Sequence, residues 1–454
     1  MPKMEIPSEF GTKWGYDRSS VACPPRAVTR REFCAPQHNM ITQLNGCGTA
    51  DVASQQKGGV VSVRSYGVLS TFPPTQCGLA TFTESLVGAL AAPTEINAGP
   101  DDSGRNTATV GVVGVVDSPD LLAPPPVVYQ WVRSDRHGAA ATAAVLNRFD
   151  VAIIQHEYGI YGGPDGADVL EVVRALRVPV IAVLHTVLTD PTFRQRIIVE
   201  ELARHCSALV TMTETGRHRL IEYYAVGQAD IVVIPHGAAE HRFGLHETWR
   251  QPVSHTPVVL TWGLLGEGKG IEWGIDAMAH LADLRPTVHY QVVGQTHPKV
   301  RARHGESYRA GLVNRTLVRG VADTVHFDAR YLTASELRRL IDQAAVVLLP
   351  YDSREQVTSG VLIEAVAAGK PVVSTDFPHA RELLSSGAGL LVDRKSPRSI
   401  AVALRRVLTE HGLAAGMSAE AKRLAPELFW SAVGKKYHAL AAATLRVDAK
   451  LAAG

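Results

Sequence analysis

Residues 351–392 read YDSREQVTSGVLIEAVAAGKPVVSTDFPHARELLSSGAGLLV, directly after the apolar run AVVLLP (Ala345–Pro350). The run predicts a buried strand, and the polar turn behind it ends in Thr358-Ser359-Gly360. A helix is predicted from about Val361 to Ala368, stopped by Gly369, with Pro371 opening a second strand, Val372 to Thr375. The unit is strand, turn, helix, strand. Its turn leaves bare backbone N–H groups at a helix N-terminus, where unpaired donors and partial positive charge suit a phosphate. Glu364 follows one turn on, facing roughly the same way. A phosphate cradle backed by a carboxylate points to a nucleotide or nucleotide-sugar site.

The whole chain sets the bounds. Its 454 residues favour more than one domain, and a formal net charge of +2 gives no bulk signature of a nucleic-acid partner. No apolar run reaches the ~18 residues of a membrane span. The opening MPKMEIPSEFGTKW lacks the apolar core of a secretory leader. Five cysteines are too irregular for a disulfide framework, and the spacings of Cys23, Cys34 and Cys47 miss those of zinc ligands. The expected compartment is the cytoplasm, with the inner face of the membrane, and peripheral contact with it, left open.

Residues 1–59 carry no sustained period and are read as a flexible extension. From Val60 the chain alternates. VVSVRSYGVLST leads through a Pro/Gly turn to Gly78 and the helical ATFTESLVGALAA, the same plan as residues 345–375. Strands TVGVVGVVD, VAIIQHE, VPVIAVLHT, SALVTMTE and DIVVIPHG then alternate with helices. Polar sequence from Ala238 to Thr256 marks a junction, after which PVVLTWG restarts the rhythm. This predicts an α/β protein of two doubly wound parallel-sheet domains, residues 60–245 and 256–429, facing each other across a cleft. A final helix follows from about Trp430.

Ligand-contacting residues in such sheets collect past strand carboxyl ends. His156, His185, His236 and His297 sit at or near such ends. His185 follows VPVIAVL directly and is the foremost candidate, followed by His156 and Glu157; a turn role is favoured for His236. Tyr158 and Tyr161 are candidate stacking faces for a sugar, with core packing the equal alternative. In the second half, GLLGEGKG (Gly263–Gly270) follows a strand and precedes a helix. Its glycines permit close approach, and the Lys269 ammonium can reach a phosphate. No acid cluster is dedicated to a metal, since Asp101-Asp102 reads as a solvated loop.

With CGLATFTESLVGAL, VIAVLHT, GLLGEGKGIE and GVLIEAVAAGKPVV…ELLSSGAGLLV in this order, the chain resembles the retaining GT-B glycosyltransferases of family 4, from about Val60 to Leu445. The resemblance implies a nucleotide-diphosphate-sugar donor on the C-terminal domain and an acceptor glycan, lipid or small molecule on the N-terminal one. It also implies a last helix that crosses back to the first domain. Glu364 matches the second carboxylate of the family's E-x7-E motif, on the donor ribose. Lys269 matches the diphosphate-contacting lysine, and Thr358, Ser359 and Gly360 the amides near the phosphates. Gly78 matches the glycine loop facing the donor, and His185 the histidine beside the transferred sugar. His156, Glu157 and Tyr158 fall on the acceptor side.

Two positions depart from the pattern. Gln356 stands eight residues before Glu364 where the family has its first carboxylate, and Leu264 stands five before Lys269 where it has an arginine. Glutamine still bonds sugar hydroxyls but brings no charge, and lysine does not reproduce a bidentate guanidinium. Either another base such as Arg354 or Arg330 substitutes, or donor affinity is modest. On a regular turn Glu355 points away from the position of Gln356, though a loop could rearrange it. His185 and Gln356 are then the side chains at the reacting sugar. The expected reaction is metal-independent transfer with retention and no cofactor beyond the sugar nucleotide as co-substrate. The rival expectations are a GT-B nucleotide-sugar epimerase and a non-catalytic nucleotide-sugar-binding protein.

Overall fold

The computed structural model describes residues 62–93, 107–120, 122–135, 137–241 and 256–453. The extension read over residues 1–59, the Asp101-Asp102 loop and residues 242–255 of the junction lie outside the described residues. The first half runs β1 (Ser65–Ser70), α1 (Gly78–Ala91), β2 (Thr109–Val116), β3 (Val127–Val132), α2 (Gly138–Leu146) and β4 (Val151–His156). It continues with α3 (Val169–Ala175), β5 (Val180–Leu184), α4 (Phe193–His205), β6 (Ala208–Thr211), α5 (Glu214–Tyr224) and β7 (Ile231–Val233). Its strands form one sheet in the order β3-β2-β1-β4-β5-β6-β7, every neighbouring pair parallel.

The second half runs β8 (Val258–Trp262), α6 (Ile271–Ala279), β9 (His289–Val293), α7 (Pro298–His304), α8 (Ser307–Arg319), β10 (Val325–Asp328) and α9 (Ala334–Gln343). Then come β11 (Val346–Leu349), α10 (Gly360–Ala367), β12 (Val372–Thr375), α11 (Pro378–Leu384), β13 (Gly389–Val392), α12 (Pro397–Thr409), α13 (Leu413–Leu428) and α14 (Trp430–Ala453). The order β10-β9-β8-β11-β12-β13 repeats the plan of the first sheet, again all parallel. These are two Rossmann-like parallel-sheet domains. Strand order reverses between β1 and β4 and again between β8 and β11, which opens a crevice beyond each pair of carboxyl ends.

The central strands read as continuous apolar runs because both faces are covered. All four residues of β11 are buried, and each such side chain contributes about 1.5–3 kcal/mol of burial. Two apolar clusters flank each sheet. One of them takes in Val433, Tyr437, Leu440 and Ala441 of α14 together with Phe82 and Leu86 of α1, so the last helix returns to the first sheet. A Cβ on Gly434 would lie 3.0 Å from that of Ala89, and the Tyr66 hydroxyl meets His438 Nδ1 at 2.7 Å. The two chain crossings between the halves pair with each other: Ala238 N–H donates to Leu428 O at 2.7 Å, and Trp430 N–H to Ala238 O at 3.0 Å.

The sequence reading misses β3 and the α7–α8 segment. β3 is an edge strand in which only Trp131 is fully buried, so it presents no continuous apolar run behind the prolines of residues 124–126. In α8 only Leu312 and Thr316 are buried, which leaves too faint a period to read. The predicted helix at Val361 begins one residue earlier because Ser359 caps it, its Oγ accepting Leu362 N–H at 3.3 Å.

Candidate active site

Two loops flank the strand-order reversal of the second sheet: Gly263–Gly270 after β8 and Pro350–Ser359 after β11. They are locked together. Asp352 N–H donates to Gly268 O at 2.9 Å, and the Trp273 indole N–H donates to the Asp352 carboxylate at 3.0 and 3.2 Å. Gly270 has φ +63°, and a Cβ there would fall 1.7 Å from Pro350 O, so only glycine permits the contact. The docking sets the Lys269 ammonium 4.4 Å from the centre of the Tyr351 ring, half-buried at the loop junction.

At the start of α10, Ser359 O accepts Ile363 N–H at 3.2 Å while its Oγ takes Leu362 N–H. The amides of Gly360 and Val361 are the ones the helix itself does not use. Ser359 N–H donates to His379 Nδ1 at 2.9 Å, so His379 carries its proton on Nε2. Burial, with His236 nearby, lowers its pKa to about 3. Glu364, one turn into the helix, accepts the Trp262 indole N–H on Oε2 at 3.0 Å. Burial raises its pKa and the indole bond lowers it. The Thr358 hydroxyl is buried without a partner in the structure, and Gln356 Nε2 donates to Thr358 O at 3.0 Å.

In the first half, His185 stands just past β5. Its Nε2 donates to Gln155 Oε1 at 2.7 Å, which leaves Nδ1 as an acceptor. Burial first, then His236 and His156, lower its pKa to about 3, so the ring is neutral. Its edge meets the Phe82 ring at 4.8 Å, and Phe82 touches His236 at 4.9 Å and Trp430 at 5.1 Å. His236 Nδ1 donates to Gly237 O at 2.7 Å, and its Nε2 lies 3.0 Å from where a Cβ on Gly360 would be. One row of rings therefore joins His185 to the helix end at Gly360. The sequence read Gly360 only as an anion-binding amide; the structure adds a close approach of His236 that a side chain would obstruct.

Gly78 opens α1 with nothing within 4 Å of a Cβ placed on it. Cys77 caps this helix, its Sγ accepting Ala80 N–H at 3.4 Å. Among the residues expected on the acceptor side, Glu157 accepts the Thr186 hydroxyl at 2.6 Å and Tyr158 N–H at 3.1 Å. Burial raises its pKa, and those two bonds and Lys299 lower it. His156 is wholly buried, with neither ring nitrogen bonded, and packs edge-on to Tyr158 at 5.0 Å. Tyr161 is not a stacking face: it is 4% exposed, and its hydroxyl donates to Gln155 O at 2.6 Å. Arg330, an expected stand-in for the missing arginine, is taken by Asp328 and Glu336 at 2.6 and 3.3 Å; Arg354 is exposed on the loop. Among the described residues, no group of three His, Cys, Asp or Glu side chains is placed to hold a metal ion, and no helix is long and apolar enough to cross a membrane.

Residues 82–242 match Glycosyltransferase Family 4, and residues 256–410 match Glycosyl transferases group 1. The chain carries a Glycosyltransferase Family 4 domain followed by a Glycosyl transferases group 1 domain. It is 28% identical over 261 residues to D-inositol 3-phosphate glycosyltransferase of Corynebacterium diphtheriae, covering 55% of this chain and 58% of that one. It is 24% identical over 267 residues to glycogen synthase of Mycobacterium tuberculosis, covering 56% and 61%. The chain thus spans less than two thirds of the length of these curated relatives. Among solved structures it is similar to HepE from Anabaena in complex with UDP and glucose, with TM-score 0.61, 17% identity and coverage of 82% of this chain and 98% of that one. Sucrose-phosphate synthase from Thermosynechococcus elongatus gives TM-score 0.59 at 16% identity, covering 86% and 100%. These likenesses show the fold, a GT-B glycosyltransferase architecture.

Several residues of this candidate site were invisible to motif reading. Trp262 reads as the last apolar residue of a strand, and only the pairing of β8 with β11 brings its indole to Glu364. His379 lies on α11, twenty residues past its partner Ser359. Phe82 reads as an ordinary apolar helix position, yet its ring packs against both His185 and His236, and His236 in turn approaches Gly360 of the other half.

Proposed function

We propose that the protein transfers a glycosyl group from a nucleotide-diphosphate sugar to a glycan, lipid or small-molecule acceptor, with retention of anomeric configuration. The observation that carries this reading is the grouping on one helix start of free amides (Gly360, Val361), a carboxylate (Glu364) and, docked beside them, the Lys269 loop. The amides and Lys269 would take the charge that develops on the departing diphosphate, preorganised so that nothing reorients during the step. Glu364 would hold the ribose. His185, neutral and with Nδ1 as acceptor, would accept a hydrogen bond from a sugar hydroxyl, with the oxygen of Gln356 on the sugar's other side. No protein nucleophile is placed in this scheme.

The donor half corresponds to residues 256–429 and the acceptor half to residues 60–245 with the final helix. UDP-glucose is the first donor to test, because UDP and glucose occupy the Anabaena HepE structure. Irregular cysteine usage supports a reducing compartment, the cytoplasm or its membrane face. Gln356, with its amide N–H held by Thr358 O, keeps a second reading in view, a sugar-nucleotide-binding protein without turnover. Purified protein incubated with UDP-, GDP- and ADP-sugars, with and without sugar or lipid acceptors, decides between them. Acceptor-dependent nucleotide release supports transfer, and proton NMR of the product reads its anomeric configuration. Donor isomerisation without an acceptor supports an epimerase, and binding without release supports the second reading.

A further inference from the structure

The loop carrying Gln356 and Thr358 belongs to the second half in sequence but hangs on the first half in space. Glu355 Oε2 accepts Thr189 N–H at 3.2 Å, Thr189 Oγ1 at 3.0 Å and Arg219 Nη1 at 3.1 Å. The same Arg219 nitrogen also donates to the Glu355 backbone carbonyl at 3.1 Å and to Val187 O at 2.8 Å. On the other flank, Val357 is 2% exposed and packs within the apolar cluster of the first half. Gln356 is thus held between two residues that are each anchored in the opposite half. A second contact converges on the same helix: Glu382 of α11 accepts the amides of Glu214 and Thr215 at 2.8 and 3.1 Å and the Thr215 hydroxyl at 3.1 Å, satisfying the start of α5 from across the cleft.

We propose that Arg219, Thr189 and Glu355 are positioning residues, an interdomain clasp that gives the Gln356–Thr358 loop its working shape only when the two halves meet. The proposal rests on the transferase reading above. The side chain of Glu355 is 44% exposed, so the ion pair is partly screened and its worth lies in geometry more than in stability. One guanidinium nitrogen grips both the side chain and the backbone carbonyl of Glu355, which fixes the backbone next to Gln356. The carboxylate at position 355 is committed to this clasp, so it does not replace the family carboxylate missing at 356.

The test uses the full chain with UDP-glucose and UDP as probes, comparing wild type with Glu355→Gln, Arg219→Lys and Arg219→Ala. Expected is a fall in kcat of about tenfold for Glu355→Gln and Arg219→Ala, smaller for Arg219→Lys, with UDP affinity within about twofold of wild type. In the transferase reading UDP is held by Lys269, the Gly360 and Val361 amides and Glu364, none of which the clasp touches. Small-angle scattering without ligand should show Glu355→Gln larger in radius of gyration. Unchanged kcat in every variant, or kcat, UDP affinity and melting point falling together as for plain structural damage, overturns the proposal. If Arg219→Ala does not fold, the two conservative variants decide. If wild type neither turns over nor binds a sugar nucleotide, the transferase reading fails by itself. Scattering then judges the clasp, and profiles identical to wild type overturn it.

Discussion

The Trp262 indole N–H donates to Glu364 Oε2 at 3.0 Å. Burial raises the Glu364 pKa and this bond opposes the rise, so the tryptophan favours the ionised carboxylate. Trp262→Phe removes the donor and lets the pKa climb further. Loss of UDP binding on acidification should therefore begin at higher pH in the variant. At neutral pH its affinity should drop roughly tenfold, the scale of a hydrogen bond to a charged group. Fluorescence or calorimetric titration with UDP between pH 5 and 8 checks both.

Lys269→Ala should lower donor turnover by roughly one to two orders of magnitude, and Glu364→Ala should weaken nucleotide binding by a similar factor. Lys269 packs on Tyr351 in a loop anchored separately by Gly268 and Asp352, so its loss should leave the melting point nearly unmoved. Steady-state kinetics with a responsive donor measure the first effect, and unchanged activity in both variants removes the site assignment.

Gly270→Ala and Gly360→Ala should separate stability from function. A Cβ at 270 meets Pro350 O at 1.7 Å at a positive φ, so the substitution should cost about 2 kcal/mol or more and detach the Lys269 loop. At 360 the Cβ meets only the edge of the His236 ring at 3.0 Å, a side chain that can shift. Gly360→Ala should cost about 1 kcal/mol while disturbing the ring row to His185, so kcat falls more than stability does. Urea unfolding paired with kinetics reads both quantities.

Acid should destabilise the protein through its buried histidines. Burial lowers the pKa of His156 from 6.5 to about 4, and burial with nearby His236 lowers that of His379 to about 3. Above pH 6.5 both are neutral in either state and there is no penalty. Between 6.5 and the folded values the unfolded chain binds the extra protons, so stability falls as pH falls, and it levels off below them. Each histidine contributes on the order of 1 kcal/mol per pH unit in that window. Unfolding midpoints at pH 7 and pH 5, compared between wild type and His379→Gln, should show a shallower acid loss in the variant.

Much of the fold was legible because its two periodicities are strong. Apolar β-branched runs marked the central strands, and Ser359-Gly360 marked a helix start to within one residue. Lys269 and the Gly360 amides are candidates for phosphate because each follows a glycine-marked turn after a strand; that the two loops dock on each other is seen only in the structure. The edge strand β3 and helix α8 were not, since partly buried elements bury too few apolar residues to leave a period. Tyr161 illustrates the reverse limit: an aromatic in a glycine-rich loop reads equally as ligand face or core, and its 4% exposure makes it core.

The sequence by itself determined two parallel-sheet halves, a helix start suited to phosphate, and the absence of a charge at position 356. Tertiary structure alone decided where the neighbouring charges went. Arg219 and Glu355 are 136 residues apart in the chain, as Trp262 and Glu364 are 102 apart. No local pattern encodes such pairs, because hydrophobic period reports which face is buried and not which distant side chain covers it. Residues 351–392 therefore mark the candidate donor loop in the sequence. The shape of that loop belongs to the contact between the two halves.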